Sequence, residues 1–269
     1  MRLSINYSIQ AAALLAEGRI QFDYFKCPDW PHLIAEARRY APVAVHFSLS
    51  AGNGSLDEET DWELVERLLT ETSTPYVNVH IDPSPDRYDV ILENPTQEQA
   101  AQIIENTAKD LACLVRRFGA SMVIAENSPY HAGDGHVIRT AVEPEVVAGL
   151  VEDTGCGLLL DLSHARISAS YLDMDEWEYL ARLPLRRLRE MHFTGVHQLD
   201  GRLEDHLPAL PEDWLALEKS LEQIRTQKWA APWMLAFEYG GVGEPFAWRS
   251  ESAAIAEQMP VLWQMIRRV

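Results

Sequence analysis

The sequence predicts an α/β chain in which residues 1–269 fold as one (β/α)8 TIM-barrel domain. Eight short apolar or β-branched runs recur along the chain, and segments with helical periodicity lie between most of them. This pattern is typical of βαβ units around a parallel sheet. The length of 269 residues matches a single barrel, whose typical size is about 250 residues. No Gly/Ser-rich linker or block of charges divides the chain, so one barrel is favoured over two smaller domains.

The predicted strands are short runs with strand-like composition. Val43–Phe47 (VAVHF) and Tyr76–His80 (YVNVH) are rich in β-branched valine, and Gly157–Asp161 (GLLLD) is almost continuously apolar, as expected for a parallel strand buried on both faces. In chain order, the predicted strands are Leu3–Tyr7, Phe22–Phe25, Val43–Phe47, Tyr76–His80, Ser121–Asn127, Gly157–Asp161, Leu188–Phe193 and Trp233–Tyr239.

The predicted helices lie between these strands, and several carry start signals. Thr96 follows Pro95 at one helix start, and Pro211 precedes an acidic first turn at another. The irregular stretch Ser128–Thr140 after the fifth strand is predicted to form a lid, because loops of this length are often functional. In chain order, the predicted helices are Ile9–Arg19, Pro31–Tyr40, Glu58–Thr72, Thr96–Phe118, Glu143–Asp153, Asp173–Leu183, Pro211–Lys228 and Phe246–Arg268.

The chain is strongly acidic, with 41 Asp and Glu against 23 Lys and Arg and a formal net charge of −18. Because neutralisation of phosphates dominates nucleic-acid affinity, this charge argues against a nucleic-acid partner, and equally against an anionic membrane surface. No run approaches the length of a membrane span, and the apolar stretch Ala11–Ala16 is too short for a signal peptide.

The three cysteines indicate a reducing compartment, because Cys27, Cys113 and Cys156 are widely spaced and form no CxxC pair. A cytoplasmic location is therefore predicted. Cys113 lies in an apolar helical run and is predicted to pack in the core, whereas Cys27, at a strand-to-loop junction, is also considered as a functional thiol.

Six of the predicted strands end in a residue type that binds metals. The carboxyl ends of barrel strands meet at the face that holds the active site, so these side chains are expected to lie close together. Buried carboxylates and imidazoles are costly unless they are paired or metal-bound, and bound cations would offset their charge. The six residues are His46, His80, Glu126, Asp161, His192 and Glu238.

Each of these residues also has a structural interpretation when it is taken alone. A strand-terminal histidine such as His46 or His80 is more often a hydrogen-bonded structural residue, Glu126 could be a solvated loop acid, and Asp161 could cap a turn. Random placement rarely puts ligand types at six successive strand ends, and the joint pattern therefore favours metal binding.

Two loops extend this set of candidate ligands. His164 lies one turn beyond Asp161, and His206 follows Glu204 and Asp205, which compete for one ligand position. A mixture of imidazoles and carboxylates suits Fe, Mn or Zn better than Mg or Ca. The set is larger than one ion can use, so two or three clustered divalent ions are predicted.

Several motifs resemble those of a known group of enzymes. The strand-end ligand set resembles that of the xylose isomerase-like TIM-barrel superfamily, which includes sugar isomerases, sugar epimerases and endonuclease IV. More specifically, IAENSPY, TGCGLLLDLSHARISA, LREMHFTGV and DGRLEDHLPALPEDW follow the order seen in the multinuclear non-haem iron-dependent oxidative enzymes, a family that includes the oxidase of methanobactin synthesis. VHFSLSAGNGS resembles the first His motif of that family, and the likeness covers roughly residues 43–240.

The resemblance implies a barrel that holds two or three irons, with Glu126 as a bridging carboxylate. The acid-x-His motif of the family aligns on Glu204 and His206, which favours Glu204 over Asp205 as the ligand. Glu126, Asp161 and Glu238 are predicted to be catalytic as well. With His164 added from the residues themselves, the predicted metal ligands are His46, His80, Glu126, Asp161, His164, His192, Glu204, His206 and Glu238.

This chain also departs from the family pattern in three places. The family motif D-x-x-N is Asp161-Leu-Ser-His164 here, which is closer to endonuclease IV, and the segment from His192 to His197 is one residue longer than the family motif. The ending FEYGG after the eighth strand also differs from the usual acid-Trp-Asp.

Three functions fit the sequence. The resemblance implies an iron-dependent oxidase that acts on a cysteine-containing peptide or a small thiol, usually with a partner protein that delivers the peptide. The alternative is a divalent-metal sugar or sugar-phosphate isomerase or epimerase, in which Glu126, Asp161, His192 and Glu238 hold one ion and two of the carboxylates move a proton. An endonuclease IV-like phosphodiesterase also matches the ligand types, but the charge of −18 opposes a DNA partner.

Overall fold

The computed structural model describes residues 1–133, 135–242 and 249–269. The strands in this part of the chain are β1 Arg2–Asn6, β2 Tyr24–Pro28, β3 Val43–His46, β4 Ser50–Ala51, β5 Val77–Ile81, β6 Val123–Glu126, β7 Gly157–Asp161, β8 Leu188–Phe193, β9 Gly195–Leu199, β10 Arg202–Leu207 and β11 Met234–Phe237. The α-helices are α1 Ile9–Ala16, α2 Pro31–Ala37, α3 Leu56–Glu59, α4 Trp62–Glu71, α5 Gln97–Phe118, α6 Arg139–Val142, α7 Pro144–Thr154, α8 Leu162–Tyr171, α9 Glu176–Arg182, α10 Pro211–Arg225 and α11 Ser252–Ile266.

The chain divides into two compact units. The first comprises Met1–His46, Glu63–Pro75 and Glu190–Val269, and the second comprises Phe47–Trp62 and Tyr76–Arg189. That residues 1–269 act as one barrel domain stays a prediction.

In the first unit, five parallel strands lie in the order β3-β2-β1-β11-β8. Leu3 and Ile5 on the central strand are fully buried, and Phe25 packs with them in the core. Strand β8 pairs with β11 so that His192 lies beside Ala236, and Glu238 continues the pairing by donating its backbone N–H to Phe193 O at 3.0 Å. This register brings the ends of β8 and β11 to the same level.

In the second unit, four parallel strands lie in the order β7-β6-β5-β4. His80 and Glu126 are direct register partners at the ends of β5 and β6. The 22-residue helix α5 follows β5 and begins with a capping box, in which Thr96 and Gln99 satisfy each other's backbone N–H groups. Helix α7 ends at Gly155, whose left-handed conformation (φ +75°) suits glycine.

The buried carboxylate of Asp110 on α5 fixes the loop that follows β4. It accepts hydrogen bonds from the backbone N–H groups of Gly52, Gly54 and Leu56 at 2.9, 2.8 and 3.2 Å. Gly52 has φ +145°, and a Cβ there would lie 2.5 Å from the Cα of Pro83. The loop can pass so close to Pro83 only because this residue is glycine.

The structure places strands at all eight predicted positions, with some shifted limits. The second strand is Tyr24–Pro28 rather than Phe22–Phe25, because the Asp23 side chain accepts a hydrogen bond from Leu3 N and pairing with β3 begins only at Phe25. The predicted helix Glu58–Thr72 is divided in two, since Thr60 has an extended backbone. The predicted start of the last helix, residues 246–248, lies outside the described residues.

Several elements near the strand ends were not predicted, including the short strand β4 after β3. Helix α8 begins immediately after β7, because the Asp161 side chain accepts a hydrogen bond from His164 N and caps the helix. After β8, the chain forms the antiparallel hairpin β9–β10. In the predicted lid Ser128–Thr140, of which residue 134 is not described, Tyr130 and Val137 pack in an apolar cluster with Val142.

Candidate metal centre

In the first unit, the ends of three strands bring imidazoles to one carboxylate. We call His46, His192, His206 and Glu238 the first cluster. The Glu238 Oε1 atom lies 3.2 Å from His192 Nδ1 and 4.0 Å from His46 Nδ1. The His46 and His192 rings are 5.3 Å apart between centroids, and Glu238 is buried. Two imidazoles of this cluster therefore converge on the Glu238 carboxylate.

His206 joins this cluster through an irregularity in the β9–β10 hairpin. The register shifts between Glu204 and Leu207, and His206 adopts a left-handed backbone conformation with φ +55°. Its Nδ1 donates to the backbone carbonyl of Glu238 at 2.7 Å. A non-glycine residue in this conformation is uncommon, and such strained residues concentrate at functional sites.

The same hairpin separates the two acids that compete for a ligand position. Glu204 forms ion pairs with Arg202 at 3.2 Å and with Arg249 at 3.8 Å. In contrast, Asp205 Oδ1 lies 3.8 Å from His206 Nε2, within the spacing of a shared metal site. The structure thus brings Asp205, and not Glu204, to the imidazole, while the Glu204 assignment stays a prediction.

Two buried charged residues lie near His192: Glu190 contacts its ring, and Lys26 contacts Glu190. The His192 Nε2 atom lies 2.9 Å from Glu190 Oε1, and the same carboxylate forms an ion pair with Lys26. The exposed side-chain fractions of Lys26 and Glu190 are 3% each. Burial alone would raise the pKa of Glu190, but the Lys26 ammonium and the His192 ring more than offset this, so the pKa lies below its usual value.

In the second unit, two imidazoles face the Glu126 carboxylate in a similar arrangement. We call His80, Glu126, Asp161 and His164 the second cluster. His80 Nε2 lies 3.2 Å from Glu126 Oε2, and His164 Nδ1 lies 3.8 Å from Glu126 Oε1. His164 Nε2 is also 3.7 Å from Asp161 Oδ2. Glu126 and Asp161 are both buried, with ligand oxygens close enough to share one ion.

Asn127 holds the carboxyl ends of β6 and β7 together. Its side-chain amide donates to the Asp161 carbonyl and accepts from the Asp161 N–H, both at 2.9 Å, and it is fully buried. The Asn127 carbonyl also accepts a hydrogen bond from His164 Nδ1 at 2.8 Å. One residue therefore fixes two candidate ligands.

The contacts to backbone carbonyls determine which ring nitrogen carries hydrogen, since a carbonyl can only accept. The Nδ1 atoms of His164 and His206 donate to carbonyls, and His80 Nδ1 lies 3.3 Å from Leu49 O. In each ring the other nitrogen, Nε2, faces a carboxylate: that of Glu126 for His80, Asp161 for His164 and Asp205 for His206. This is how metal-binding histidines are usually oriented, with one nitrogen held by a carbonyl or carboxylate and the other directed to the metal.

The imidazoles also change the electrostatics of the acids. Burial would raise the pKa of Glu238, but the nearby His192, His46 and His206 lower it well below its usual value. The carboxylate nearest the imidazoles of the first cluster is thus held in its charged, metal-binding form.

In the second unit, burial raises the pKa of Asp82, which lines a cleft of about 490 Å³ together with Ser50, Asn53, Ser84, Asp86 and His136.

The donor set of each cluster fits a transition metal. Two donors bound at about 2.0–2.2 Å to one ion lie about 3 Å apart at a right-angled or slightly wider arrangement, and 3.2 Å separates both His192 Nδ1 from Glu238 Oε1 and His80 Nε2 from Glu126 Oε2. Nitrogen and carboxylate donors suit Fe, Mn or Zn. The residues present therefore fit the predicted metals.

Three residues that hold candidate ligands in place, directly or through a neighbouring residue, were not predicted. Glu190 precedes His192 by two positions, so strand alternation places both on one face and could have identified it. Lys26 carries a weaker signal, a single charge in an otherwise apolar strand. Asn127 carries none, because an asparagine at a strand end is ordinary in sequence. Cys27 is buried, and burial raises the pKa of its thiol to about 12, so it lies outside the candidate chemistry.

Comparison with known proteins identifies the family and the fold. The model of the family described as "RiPP precursor modification enzyme MbnB/TglH/ChrH" matches residues 23–235. A UPF0276 protein of Rhizorhabdus wittichii is 29% identical over 202 residues, which cover 71% of this chain and 69% of that protein. Among the described residues, no helix has both the length and the apolar character that crossing a membrane requires.

Solved structures share the fold at low sequence identity. A D-psicose 3-epimerase crystallised with D-fructose superposes with a TM-score of 0.58 at 12% identity, covering 100% of this chain and 99% of that one. An AP endonuclease of family 2 from Brucella melitensis gives 0.53 at 15% identity, covering 96% and 98%. These similarities confirm the predicted α/β, xylose isomerase-like TIM-barrel fold.

Proposed function

Because the chain belongs to the MbnB/TglH/ChrH family of RiPP precursor modification enzymes (RiPPs are ribosomally synthesised and post-translationally modified peptides), we propose that it is a multinuclear iron enzyme that oxidises a cysteine-containing peptide or a small thiol. In a TIM barrel the carboxyl ends of the strands meet at one face. We therefore propose a catalytic centre of two or three divalent ions, held by the candidate ligands at the strand ends.

The observation that carries this proposal is that each unit contains its own set of two imidazoles and one carboxylate. The first cluster supplies His46, His192 and Glu238, and the second supplies His80, His164 and Glu126. Two histidines and one carboxylate with open coordination positions are typical of non-haem Fe(II) oxygenases. A single ion could not use both sets, so at least two ions are expected.

The remaining candidate ligands have distinct roles in this proposal. Iron would supply the redox chemistry with O₂ as the oxidant. Glu126, whose Oε2 lies 3.2 Å from His80 Nε2, is proposed as the bridging carboxylate, as the family resemblance implies. Asp161 completes the second set, and His206 with either Asp205 or Glu204 would serve a further ion.

The polar cleft in the second unit supports a substrate that is neutral or cationic. Asp82 and Asp86 line it, and Asp82 lies two residues beyond His80 on the same strand end. We propose that part of a peptide substrate occupies this cleft and that a partner protein delivers the peptide. The net charge of −18 disfavours nucleic acid as the substrate.

Metal analysis of matched variants tests the proposal. After anaerobic loading with Fe(II), we expect at least two irons per chain, identified by anomalous scattering at the iron edge. His80→Gln and His46→Gln should each lower the metal content by about one ion, because each removes a ligand from a different set. His32→Gln is the matched control, since His32 is exposed and stacks on Trp30.

Two results would refute the iron oxidase. The first is a single Mn or Zn per chain under all loading conditions. The second is the absence of O₂ uptake with every cysteine-containing peptide and thiol offered, while the metal is fully loaded.

A sugar isomerase or epimerase is the second candidate function. The observation in its favour is the fold, which the chain shares with a D-psicose 3-epimerase. The ligands predicted for the single ion of such an enzyme are Glu126, Asp161, His192 and Glu238. In that reaction two carboxylates would move a proton to and from carbon. His80→Gln distinguishes the two, because an epimerase with these four ligands would retain all its metal in this variant.

A further inference from the structure

His192 differs from the other oriented imidazoles in what holds its second nitrogen. His164 and His206 donate to backbone carbonyls, whereas His192 Nε2 meets the side chain of Glu190 at 2.9 Å. Glu190 in turn pairs with Lys26, and the His192 side chain is fully buried. The carboxylate can only accept, so Nε2 must carry the hydrogen. Nδ1 then faces Glu238 Oε1 at 3.2 Å.

Stability alone does not account for this arrangement. Removing a charge from water is costly, and replacing a buried ion pair by apolar residues of similar size is often neutral or stabilising. Lys26 and Glu190 are nevertheless both buried in the interior of the first unit, on β2 and β8. The contact of Glu190 with His192, and that of Lys26 with Glu190, give the pair a role in orienting the His192 ring.

We propose that Lys26 and Glu190 are positioning residues for the metal centre: Glu190 fixes the Nε2–H tautomer of His192 and directs Nδ1 to the metal, and Lys26 holds the Glu190 carboxylate in place. A carboxylate partner makes a ligating imidazole a stronger donor than a carbonyl partner does, and such partners affect metal affinity about 10–100-fold. Lys26 offsets the added negative charge, so Glu190 does not compete with Glu238 for the ion. This inference rests on the proposed metal centre.

The first measurement is made on metal-free protein, so it does not depend on metal binding. In ¹H–¹⁵N spectra of histidine-labelled wild type, we expect a hydrogen-bonded Nε2–H signal, assigned to His192 by its loss in His192→Gln. The double variant Lys26→Met/Glu190→Met keeps the side-chain volume and removes the acceptor, and should lose the signal. Lys26→Met/Glu190→Gln keeps an amide oxygen as acceptor and should retain it.

The second measurement is Zn²⁺ affinity in competition with a chromophoric chelator. Lys26→Met/Glu190→Met should weaken binding about 10–100-fold, and the Gln variant should recover most of this loss. Asp213→Asn is the matched control, because Asp213 is a buried helix-capping acid of the same unit. It should lower stability without changing Zn²⁺ affinity.

The two measurements separate failure of the inference from failure of the proposed function. Absence of the Nε2–H signal in wild type, its persistence in Lys26→Met/Glu190→Met, or equal Zn²⁺ affinity of that variant and wild type would overturn the positioning role. If wild type binds neither Zn²⁺ nor Fe(II), the metal centre is refuted and the metal-directing role falls with it, although the signal still reports whether Glu190 orients His192.

Discussion

Replacing Asn127 by leucine should destabilise the protein and weaken its metal binding. The side-chain amide satisfies both the N–H and the carbonyl of Asp161, each at 2.9 Å, and the whole contact is buried. Leucine has the same number and branching of side-chain heavy atoms but no polar atoms, so both backbone groups of Asp161 would be left without partners. A buried polar group without a partner costs about 1–3 kcal/mol, and the expected loss is therefore about 2–6 kcal/mol.

The assay is thermal and urea unfolding of metal-free protein, followed by Zn²⁺ competition. For a chain of this size, each kcal/mol lowers the melting temperature by about 2–4 °C, so a decrease of about 5–20 °C is expected. Because Asp161 and His164 both depend on Asn127, metal affinity should fall about 10–100-fold. Asn127→Asp should also destabilise, since one carboxylate oxygen would face the Asp161 carbonyl and repel it.

Asp110→Asn is the control for a general loss of stability. Asp110 is as buried as Asn127 and fixes a loop of the same unit through three backbone N–H groups, yet none of these belongs to a candidate ligand. The variant should melt at a lower temperature and bind Zn²⁺ with wild-type affinity. A loss of stability below about 1 kcal/mol in Asn127→Leu would refute the role of the Asn127 side chain in stability. Unchanged metal affinity would refute its role in placing Asp161.

Three further predictions concern single groups. His206→Asn should change the stability of metal-free protein by less than about 1 kcal/mol, because asparagine tolerates φ +55°. The metal content of this variant should nevertheless fall. Unfolding curves measure the first effect, and metal analysis measures the second. The lowered pKa values of Glu238 and Glu190 stabilise the fold above the unfolded carboxyl pKa of about 4.3. Urea titrations should therefore show that the contribution of these two groups is present above about pH 5 and is lost as the pH falls through their folded-state values, with a smaller loss in Lys26→Met/Glu190→Gln. Cys27 should resist thiol reagents at pH 8 in the native state, because burial raises its pKa to about 12, and it should react in denaturant. Mass spectrometry of labelled protein checks this, and labelling of native Cys27 would contradict it.

The positions of the strands could be predicted because β/α units impose a local pattern. A buried parallel strand must be apolar along its whole length, and GLLLD before Asp161 meets that requirement without any knowledge of the rest of the chain. The strand ends then follow, and with them His80 and Glu126, which are register partners. The sequence therefore contained most of the information about which strand-end side chains come together within each unit.

The contacts of Glu204 and Asp205 show where alternation along a strand does not predict the partners of side chains. In a regular strand, Glu204 and His206 share a face and Asp205 points to the opposite one. Here the register shifts between Glu204 and Leu207, and the left-handed conformation of His206 breaks the alternation. Asp205 consequently lies near the His206 ring, and Glu204 pairs with arginines. Nothing in the local sequence specifies this irregularity.

The partners of the candidate ligands were harder to predict because they come from distant parts of the chain. Lys26 and Glu190 are 164 residues apart, and only the pairing of strands in the first unit brings them together. The hydrogen bonds between Asn127 and Asp161 likewise join residues 34 positions apart. Ligand types at strand ends can be read one strand at a time, whereas the groups that orient them depend on register and rotamer in the folded chain.

The two clusters hold only a few of the negative charges of the chain, and the remaining charge bears on the substrate. In the first, Lys26 offsets Glu190 and leaves Glu238 as the net negative charge, whereas the second holds both Glu126 and Asp161. Bound divalent cations would offset these few carboxylates, which form only a small part of the net charge of −18. Most of the acidity would remain when the metals are bound. A polyanion such as nucleic acid would be repelled by this charge, whereas a neutral or cationic peptide would not, and the proposed peptide substrate is therefore favoured over a phosphodiester.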